Sequence, residues 1–493
     1  MATSAAVSDT APPDASGVDL RDPEIADMQL RTGFACGESS KRRDVSVLLV
    51  TANVGSMFEK STKILPEWTA QFCHFVTEQQ PDFIALHCQE VGGKFPIEAT
   101  KVVAHFVESL LKCKELGCFT RVRGFMDEEY QCPERFTALG SIYLARDTLH
   151  DVAIWDFTGQ RFHPVAGHEV VTEDLIRNSY HIKEKFPSEF SPHRLTRKGY
   201  ILTRWCINEQ VFNFLNVHLY HDPSNLVSME SSPSVYANNR HKAMLYALQR
   251  FQRHSSNLEP TFFFGDFNFR LDLHQLVFDM CSSTNRQLHR HLEGEQVIYS
   301  DSSSGEVVLQ MAPKVFRVAD KAMFEENFGT LRSYDKEAVK IGVHEQGIDF
   351  QPSYPLSESG EARQYMETRC PAWCDRVLYN DAAKDVLDKA CPSSITYHMV
   401  GNNCCMGDHK PVFLQFKVAL PVTMAGVHPD KSTSGSGALA NSAHARRVAA
   451  GVTLVFAVPT VLFRLGVLAP RPAGLVIAAC LPIIGLLAHQ GII

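Results

Sequence analysis

Three short segments far apart in the chain set an acid, an amide or an imidazole beside glycine or proline: GDFNFR (Gly265 to Arg270), PAWCDR (Pro371 to Arg376) and GDHKPV (Gly407 to Val412). Their side chains suit metal-assisted hydrolysis of a phosphomonoester. Such a dianion repels water and hydroxide, so a hydrolase must neutralise its oxygens, align a water with the leaving oxygen and accept that water's proton. Magnesium prefers oxygen ligands in octahedral geometry and usually takes only one or two protein carboxylates, which leaves positions for water and phosphate. Asn53, Glu90, Asp266, Asn268, Asp375, Asp408, His218 and His409 could supply that set.

Each candidate falls where a strand should end. Val45 to Val50 is a continuous apolar run, expected to be a buried strand that delivers Asn53, and Asp82 to Leu86 delivers Glu90 in the same way. Val211 to Val217 leads into Asn216 and His218, and Thr261 to Gly265 opens onto Asp266 and Asn268. Strands that each end in a polar residue predict a site along one edge of a sandwich. Scattered through a core, the same groups would be unpaired and cost roughly 1 to 3 kcal/mol each. With amphipathic helices such as Ile97 to Leu111 and Tyr236 to Phe251, the pattern predicts one α/β domain over residues 44–420, a four-layer α/β sandwich. Thr158 to Pro192 and Cys281 to Val318 read as insertions, and no internal repeat is visible.

The three segments, with TANVGS, QEVGGK and NVHL upstream in the same order, closely resemble the inositol polyphosphate 5-phosphatases of the endonuclease/exonuclease/phosphatase superfamily, from about Asp44 to Leu420. NVHLYHDPSNL, FQPSYP and TRCPAWCDR look most like the type I branch, which acts on soluble inositol phosphates. The resemblance implies that Glu90 is a magnesium ligand, with Asn53 beside it on metal or phosphate and Asp408 approaching a metal from the opposite flank. It implies that Asp266 orients or deprotonates the attacking water and that Asn268 donates to a phosphate oxygen. His409 would contact the scissile phosphate, held in one tautomer by Asp375, and His218 would bind the phosphate or stabilise the leaving side. Arg197 and Lys198 resemble the family's basic segment facing the ring phosphates, and Arg240 and Tyr354 also match family positions. Lipid-acting relatives carry a lysine after the tyrosine of a PTYK motif. Here PSYP puts Pro355 in its place, in line with the type I pattern.

Bland readings stand beside these. A lone Asp-x-Asn after glycine is usually a turn, because both side chains bond their own backbone; the company of PAWCDR and GDHKPV sets that reading aside. His218 alone would be an ordinary surface histidine, and only its place in NVHL argues otherwise. His221 has no such support and reads as structural, and Trp373 and Cys374 read as packing residues. Arg270 and Arg376 each fit two roles, a phosphate ligand or a buried partner that fixes a catalytic loop.

The net charge of -7 and pI near 6.3 argue against a nucleic-acid partner, which would want a basic face. The 14 cysteines show no paired spacing that suggests zinc, and reduced thiols in a reducing compartment are the expectation. Residues 1–43, rich in Ala, Ser, Asp and Pro, lack apolar periodicity and should be disordered.

After a flexible linker over residues 421–445 come two apolar stretches, Val448 to Phe463 and Ala473 to Ala488, separated by Arg464 and the turn APRPAG. A spanning helix needs about 20 apolar residues, so each stretch is marginal alone. Residues 446–493 are expected to anchor the chain in a membrane as a hydrophobic helical hairpin or two short spans. Arg446 and Arg447 at the entry would keep that end, and with it the catalytic domain, on the cytosolic side. Type I relatives generally end in a prenylation box. The final residues, Gln490 to Ile493, carry no cysteine, and the apolar segment stands in for the lipid. The expected activity is magnesium-dependent removal of the 5-phosphate of inositol 1,4,5-trisphosphate and the 1,3,4,5-tetrakisphosphate, ending a calcium signal. Competing readings are a phosphoinositide lipid phosphatase, a neutral sphingomyelinase and, outside enzymes, a membrane-tethered scaffold that binds inositol phosphates.

Overall fold

The structure, a computed structural model, describes residues 42–421 except 60, 94–95, 172–178, 191–196, 256–257, 283–287, 359–363 and 402–403. The expected N-terminal disorder before Arg42, and the linker and hydrophobic hairpin beyond Pro421, lie outside the described residues. Among those described, no helix is long and apolar enough to cross a membrane.

Two large sheets face each other. The first runs, in spatial order, β18 (Thr396–Met399), β19 (Val412–Pro421), β1 (Arg42–Asn53), β2 (Phe83–Gln89), β4 (Gly140–Ala145), β3 (Arg121–Met126) and β7 (His168–Val171). The second runs β16 (His344–Glu345), β17 (Asp375–Tyr379), β11 (Thr261–Asp266), β10 (Gln210–His218), β9 (Gly199–Ile207), β5 (Val152–Asp156) and β6 (Arg161–Pro164), with β8 (Ile182–Lys185) pairing β9. The central strands are buried along nearly their whole length because both of their faces are covered. Val47, Leu49, Phe83, Ala85, Phe214, Phe262 and Phe264 fill the space between the sheets. The alternate residues Leu48, Val50, Ile84 and Leu86 face Trp68, Phe72 and Phe106 of the helices Ser61–Gln79 and Pro96–Leu111. On the far side, Leu215, Val217 and Phe263 pack against Ala243, Met244 and Ala247 of the helix Val235–Phe251. Helix, sheet, sheet and helix thus form the four expected layers.

The two stretches read as insertions fold differently from each other. Residues 288–318 make a separate antiparallel sheet of β12 (Leu288–Glu293), β13 (Gln296–Asp301), β14 (Val307–Ala312) and β15 (Val315–Val318). The stretch from Thr158 to Pro192 is no insertion: it supplies β6, β7 and β8, which extend both main sheets, and its short polar strands carry too little periodicity to be read as such. The expectation of reduced thiols also fails at one pair. Cys73 and Cys113 form a disulfide, brought together because the two helices pack side by side on the first sheet.

Register gathers the strand ends. β1 and β2 run parallel with Asn53 beside Gln89, and β10 and β11 run parallel with His218 beside Asp266. The antiparallel neighbours arrive from the other direction: Asp375 opens β17 opposite Asp266, Gly199 opens β9 opposite His218, and Val412 in β19 lies opposite Thr51. Glu90, Lys198, Asp408 and His409 sit in the connections just outside those ends. Gly265 is dictated by this packing, since a Cβ there would fall 1.8 Å from the carbonyl oxygen of Val217.

Candidate active site

Below the strand ends, polar side chains tie the sheets together. Gln89 Nε2 donates to Asn216 Oδ1 at 2.8 Å, and Asn216 Nδ2 donates to the carbonyl of Gly140 at 2.8 Å. His87 meets the Phe264 carbonyl at 3.1 Å and the Tyr143 hydroxyl at 3.0 Å. Satisfied buried polar groups of this kind fix one relative placement of two sheets, where apolar contacts would tolerate sliding.

Above them lies a cavity of about 230 Å³ whose lining includes Asn53, Ser56, Glu90, Lys198, His221, Asp266, Asn268, Arg270, Tyr354, Arg369, Asp408 and His409. Asp266 is its hub. The carboxylate accepts from Asn53 Nδ2 at 3.0 Å and from the backbone N–H and Nδ2 of Asn268 at 2.8 and 3.1 Å, and lies 3.2 Å from His218 Nε2. Burial favours its neutral form, but the hydrogen bond from His218 and the charges of His409 and Lys198 outweigh it and hold the carboxyl well below the usual range. Asp266 is therefore ionised at any working pH.

His409 packs beside it, with Nδ1 2.9 Å from Asp375 Oδ2, which also accepts from Ser353 Oγ at 2.7 Å. Burial pulls the imidazole down, yet Asp375 and Asp266 together raise it to about 10. We place the proton on the histidine, because two buried carboxylates act on one ring. His409 is then a cationic donor at neutral pH.

Glu90 reaches the cavity from a left-handed backbone, φ 58°, a conformation that costs a non-glycine residue about 1 to 3 kcal/mol and is met at functional sites. Burial raises its carboxyl, but Lys198, His218 and Arg197 outweigh that and bring it to about 2. Gly55 lies against it: a Cβ there would come within 2.8 Å of Glu90 Oε2 and 3.3 Å of Asn53 Oδ1. One ionised carboxylate and one amide oxygen converging beside open space suit a hard divalent cation that keeps room for water and phosphate. Asp266, Asp375 and His409 also bring their ligand atoms within 4.8 Å of one another. That cluster fits an ion less well, because Asp375 is fully buried and already bonded to His409 and Ser353. Asp408 lines the cavity too, with burial pushing its carboxyl up and Oδ1 accepting from Ser56 Oγ at 2.7 Å.

Other expected residues are placed differently. His218 does not line the cavity; it sits beneath Asp266, touching Lys198. Asn268 spends both amide hydrogens on the Leu219 carbonyl and Asp266, so it aims the acid rather than donating to phosphate. Arg197 bonds the Gly93 carbonyl and flanks Glu90 at 4.0 Å, outside the lining. Arg240 is wholly buried, held by Asp222 and by Glu337 at 2.7 and 2.8 Å, and faces no substrate. Arg376 is likewise buried, bonded to Glu345 at 2.6 Å and Asp335 at 3.1 Å, and resolves to the loop-fixing role. Lys198 and Tyr354 do line the cavity, and burial brings Lys198 down to about 8 against the pull of Glu90 and Asp266.

Sequence reasoning missed Arg369, His221 and Ser353. Arg369 lies inside TRCPAWCDR and could have been flagged with it. His221 lines the cavity although nothing in its spacing marks it, and Ser353, inside the FQPSYP stretch, serves Asp375.

Known proteins resemble this chain over most of its length. Residues 325–415 match the family model "Endonuclease/Exonuclease/phosphatase family 2". Inositol polyphosphate-5-phosphatase A of Canis lupus familiaris is 42% identical over 385 residues, covering 76% of this chain and 93% of that protein. A probable type I inositol 1,4,5-trisphosphate 5-phosphatase of Caenorhabditis elegans is 33% identical over 414 residues, covering 76% of this chain and 100% of that protein. Among solved structures, the 5-phosphatase domain of SpSynaptojanin, in complex with inositol (1,4)-bisphosphate and calcium, superposes at a TM-score of 0.43 with 14% identity, over 81% of this chain and 91% of that one. On the strength of relatives this similar over nearly their whole length, the chain belongs to the inositol polyphosphate 5-phosphatase family and is a phosphoric monoester hydrolase.

Proposed function

We propose that this 5-phosphatase acts on water-soluble inositol 1,4,5-trisphosphate and the 1,3,4,5-tetrakisphosphate with magnesium as its divalent cation, and so ends calcium signals. The observation that carries the reading is the charge lining one cavity: the acids Glu90, Asp266 and Asp408 together with the cations Lys198, Arg270 and Arg369. A lone phosphate needs fewer cations than this lining offers. A polyphosphate carries enough charge to balance all three.

Asp266 takes the proton of a water aligned in line with the leaving oxygen. His409 donates a hydrogen bond to a non-bridging oxygen of the scissile phosphate, its ring fixed by Asp375. Lys198 adds charge from the side, and Glu90 and Asn53, with Asp408 opposite, are the residues that would hold the cation. When bound, that ion supplies Lewis-acid neutralisation of the phosphate oxygens.

The test is phosphate release from soluble inositol trisphosphate and from the 4,5-bisphosphate lipid, and phosphocholine release from sphingomyelin, each with magnesium or chelator. The trisphosphate is turned over fastest, and chelation lowers its turnover more than about a hundredfold. Faster lipid turnover sinks the soluble assignment, sphingomyelin turnover favours the phosphodiesterase, and no turnover favours a binding scaffold. Gly55→Ala pushes on Glu90 and Asn53 together, so the magnesium concentration for half-maximal activity should rise roughly tenfold or more; an unchanged value would place the cation elsewhere.

The apolar residues 446–493 and the arginine pair at their start support attachment to a membrane with the catalytic domain in the cytosol. A chain ending at Ala443 should partition into the soluble fraction with its activity intact, where the full chain sediments with membranes. A full chain that stays in the supernatant ends this part of the proposal.

A further inference from the structure

The antiparallel sheet of residues 288–318 is fastened beside the catalytic cavity by a buried amide. Asn225, 3% exposed, stands just past the end of β10 in the stretch NVHLYHDPSNL. Its Nδ2 donates to the carbonyls of Ala312 at 3.2 Å, Val315 at 3.0 Å and Thr368 at 3.1 Å, and its backbone N–H donates to that of Pro313 at 3.0 Å. All three side-chain partners are acceptors, so only the NH2 can face them. Arg369, which follows Thr368, reaches back: Nε donates to the Asp222 carbonyl at 3.3 Å, Nη2 to that of Pro223 at 3.1 Å, and Nη1 to those of Pro313 at 3.3 Å and Thr368 at 2.8 Å. Two side chains, each bonding the backbone beside the other, thus tie together the end of β10, the β14–β15 turn and the lead into β17.

Of the two, Arg369 lines the cavity and Asn225 does not. Arg240 and Arg376 bond carboxylates. The carbonyl oxygens around Arg369 satisfy its N–H groups without cancelling its charge, so the cavity receives that charge at a place set by the backbone. We infer that Asn225 is a positioning residue for substrate binding: by fastening the β14–β15 turn to Thr368 it fixes where Arg369 stands, which makes the sheet of residues 288–318 a working part of the site. This rests on the 5-phosphatase reading and adds to it a residue outside the cavity. The groups placed at the reacting phosphate hang on other elements, Asp266 on Asn53, Asn268 and His218, and His409 on Asp375. A displaced Arg369 therefore loosens the hold on the polyphosphate and leaves the bond-breaking step in place. Leu309, Met311 and Phe316 remain in the shared core, so the sheet stays attached when the amide is lost.

Steady-state kinetics on the full chain with soluble inositol trisphosphate and magnesium tests this, with melting curves to show that each variant is folded. Asn225→Ala raises KM about tenfold and leaves kcat within about twofold. Asn225→Asp, which sets a carboxylate against three carbonyl oxygens, raises it at least as much. Arg369→Gln also raises KM, and the double variant Asn225→Ala with Arg369→Gln has the KM of Arg369→Gln alone, because a residue that acts only through Arg369 has nothing left to move. Pro313→Gly loosens the turn while keeping every carbonyl, and it raises KM in the same direction; it decides the matter where the Asn225 variants do not fold. A fall in kcat with KM unchanged would make the amide merely structural and overturn the inference, as would effects on KM that multiply in the double variant, or an unchanged KM in Pro313→Gly. A wild-type chain that does not turn over the trisphosphate refutes the 5-phosphatase substrate reading itself, a separate failure seen before any variant is made.

Discussion

Asp266→Asn keeps its fold and loses about a thousandfold in kcat or more, measured as phosphate release at saturating trisphosphate and magnesium. The carboxylate is 1% exposed and surrounded by the donors of Asn53, Asn268 and His218, which hold it ionised and aimed into the cavity. An amide has the same shape but cannot accept a proton from water, and its NH2 would face donors rather than acceptors. Two effects on stability oppose each other. The substitution removes charge-assisted hydrogen bonds, and it also removes the repulsion that Asp266 exerts on Glu90 and Asp375. The melting temperature should accordingly move by only a few degrees, read by circular dichroism. A folded variant retaining more than a tenth of wild-type turnover would show that the water's proton goes elsewhere.

Asp266 is legible in the sequence because of the strand that carries it. Val45 to Val50 and Thr261 to Gly265 are apolar almost without interruption because their strands are covered on both faces, and a polar residue directly after such a run can only emerge at the sheet's edge. The four layers and the edge holding Asn53, Glu90, Asp266 and His409 were therefore legible. The arginines were not. Arg240, Arg270 and Arg376 all stand in or near matching motifs, yet two of them are neutralised in the interior by acids far off in the chain, Glu337 for one and Glu345 and Asp335 for the other. Of the three, Arg270 alone keeps donors without a partner among the described residues, and no local pattern reports which carboxylate arrives at which guanidinium. The Cys73–Cys113 pairing and the strands within Thr158 to Pro192 were hidden for the same reason: each depends on a neighbour supplied by another layer.

The same long-range dependence makes Asp375 the second decisive position. Asp375→Asn should cost about a hundredfold or more in turnover although Asp375 itself does not line the cavity, because its effect passes through His409. An imidazole ordinarily titrates near 6.5; here its pKa is raised to about 10, so the ring stays charged through neutrality and loses its proton only as the pH climbs through about 10. The stabilisation that this pairing gives the fold has the same sign: it is complete below 6.5, where the unfolded chain's imidazole is also protonated, and is lost as the pH rises through about 10. Replacing the carboxylate removes the strongest upward pull, leaving burial to push the ring down against Asp266 and Asp408. The His409 resonance, followed by NMR in metal-free protein, should then titrate at a clearly lower pH than in wild type, and the alkaline limb of the activity profile should move down with it. The amide oxygen introduced by the substitution can still accept from Ser353 and from the ring, so the geometry survives and the loss is one of charge. If the midpoint of His409 stays where it is in wild type while activity falls, Asp375 holds the loop rather than the proton, and the imidazolium owes its charge to Asp266 and Asp408.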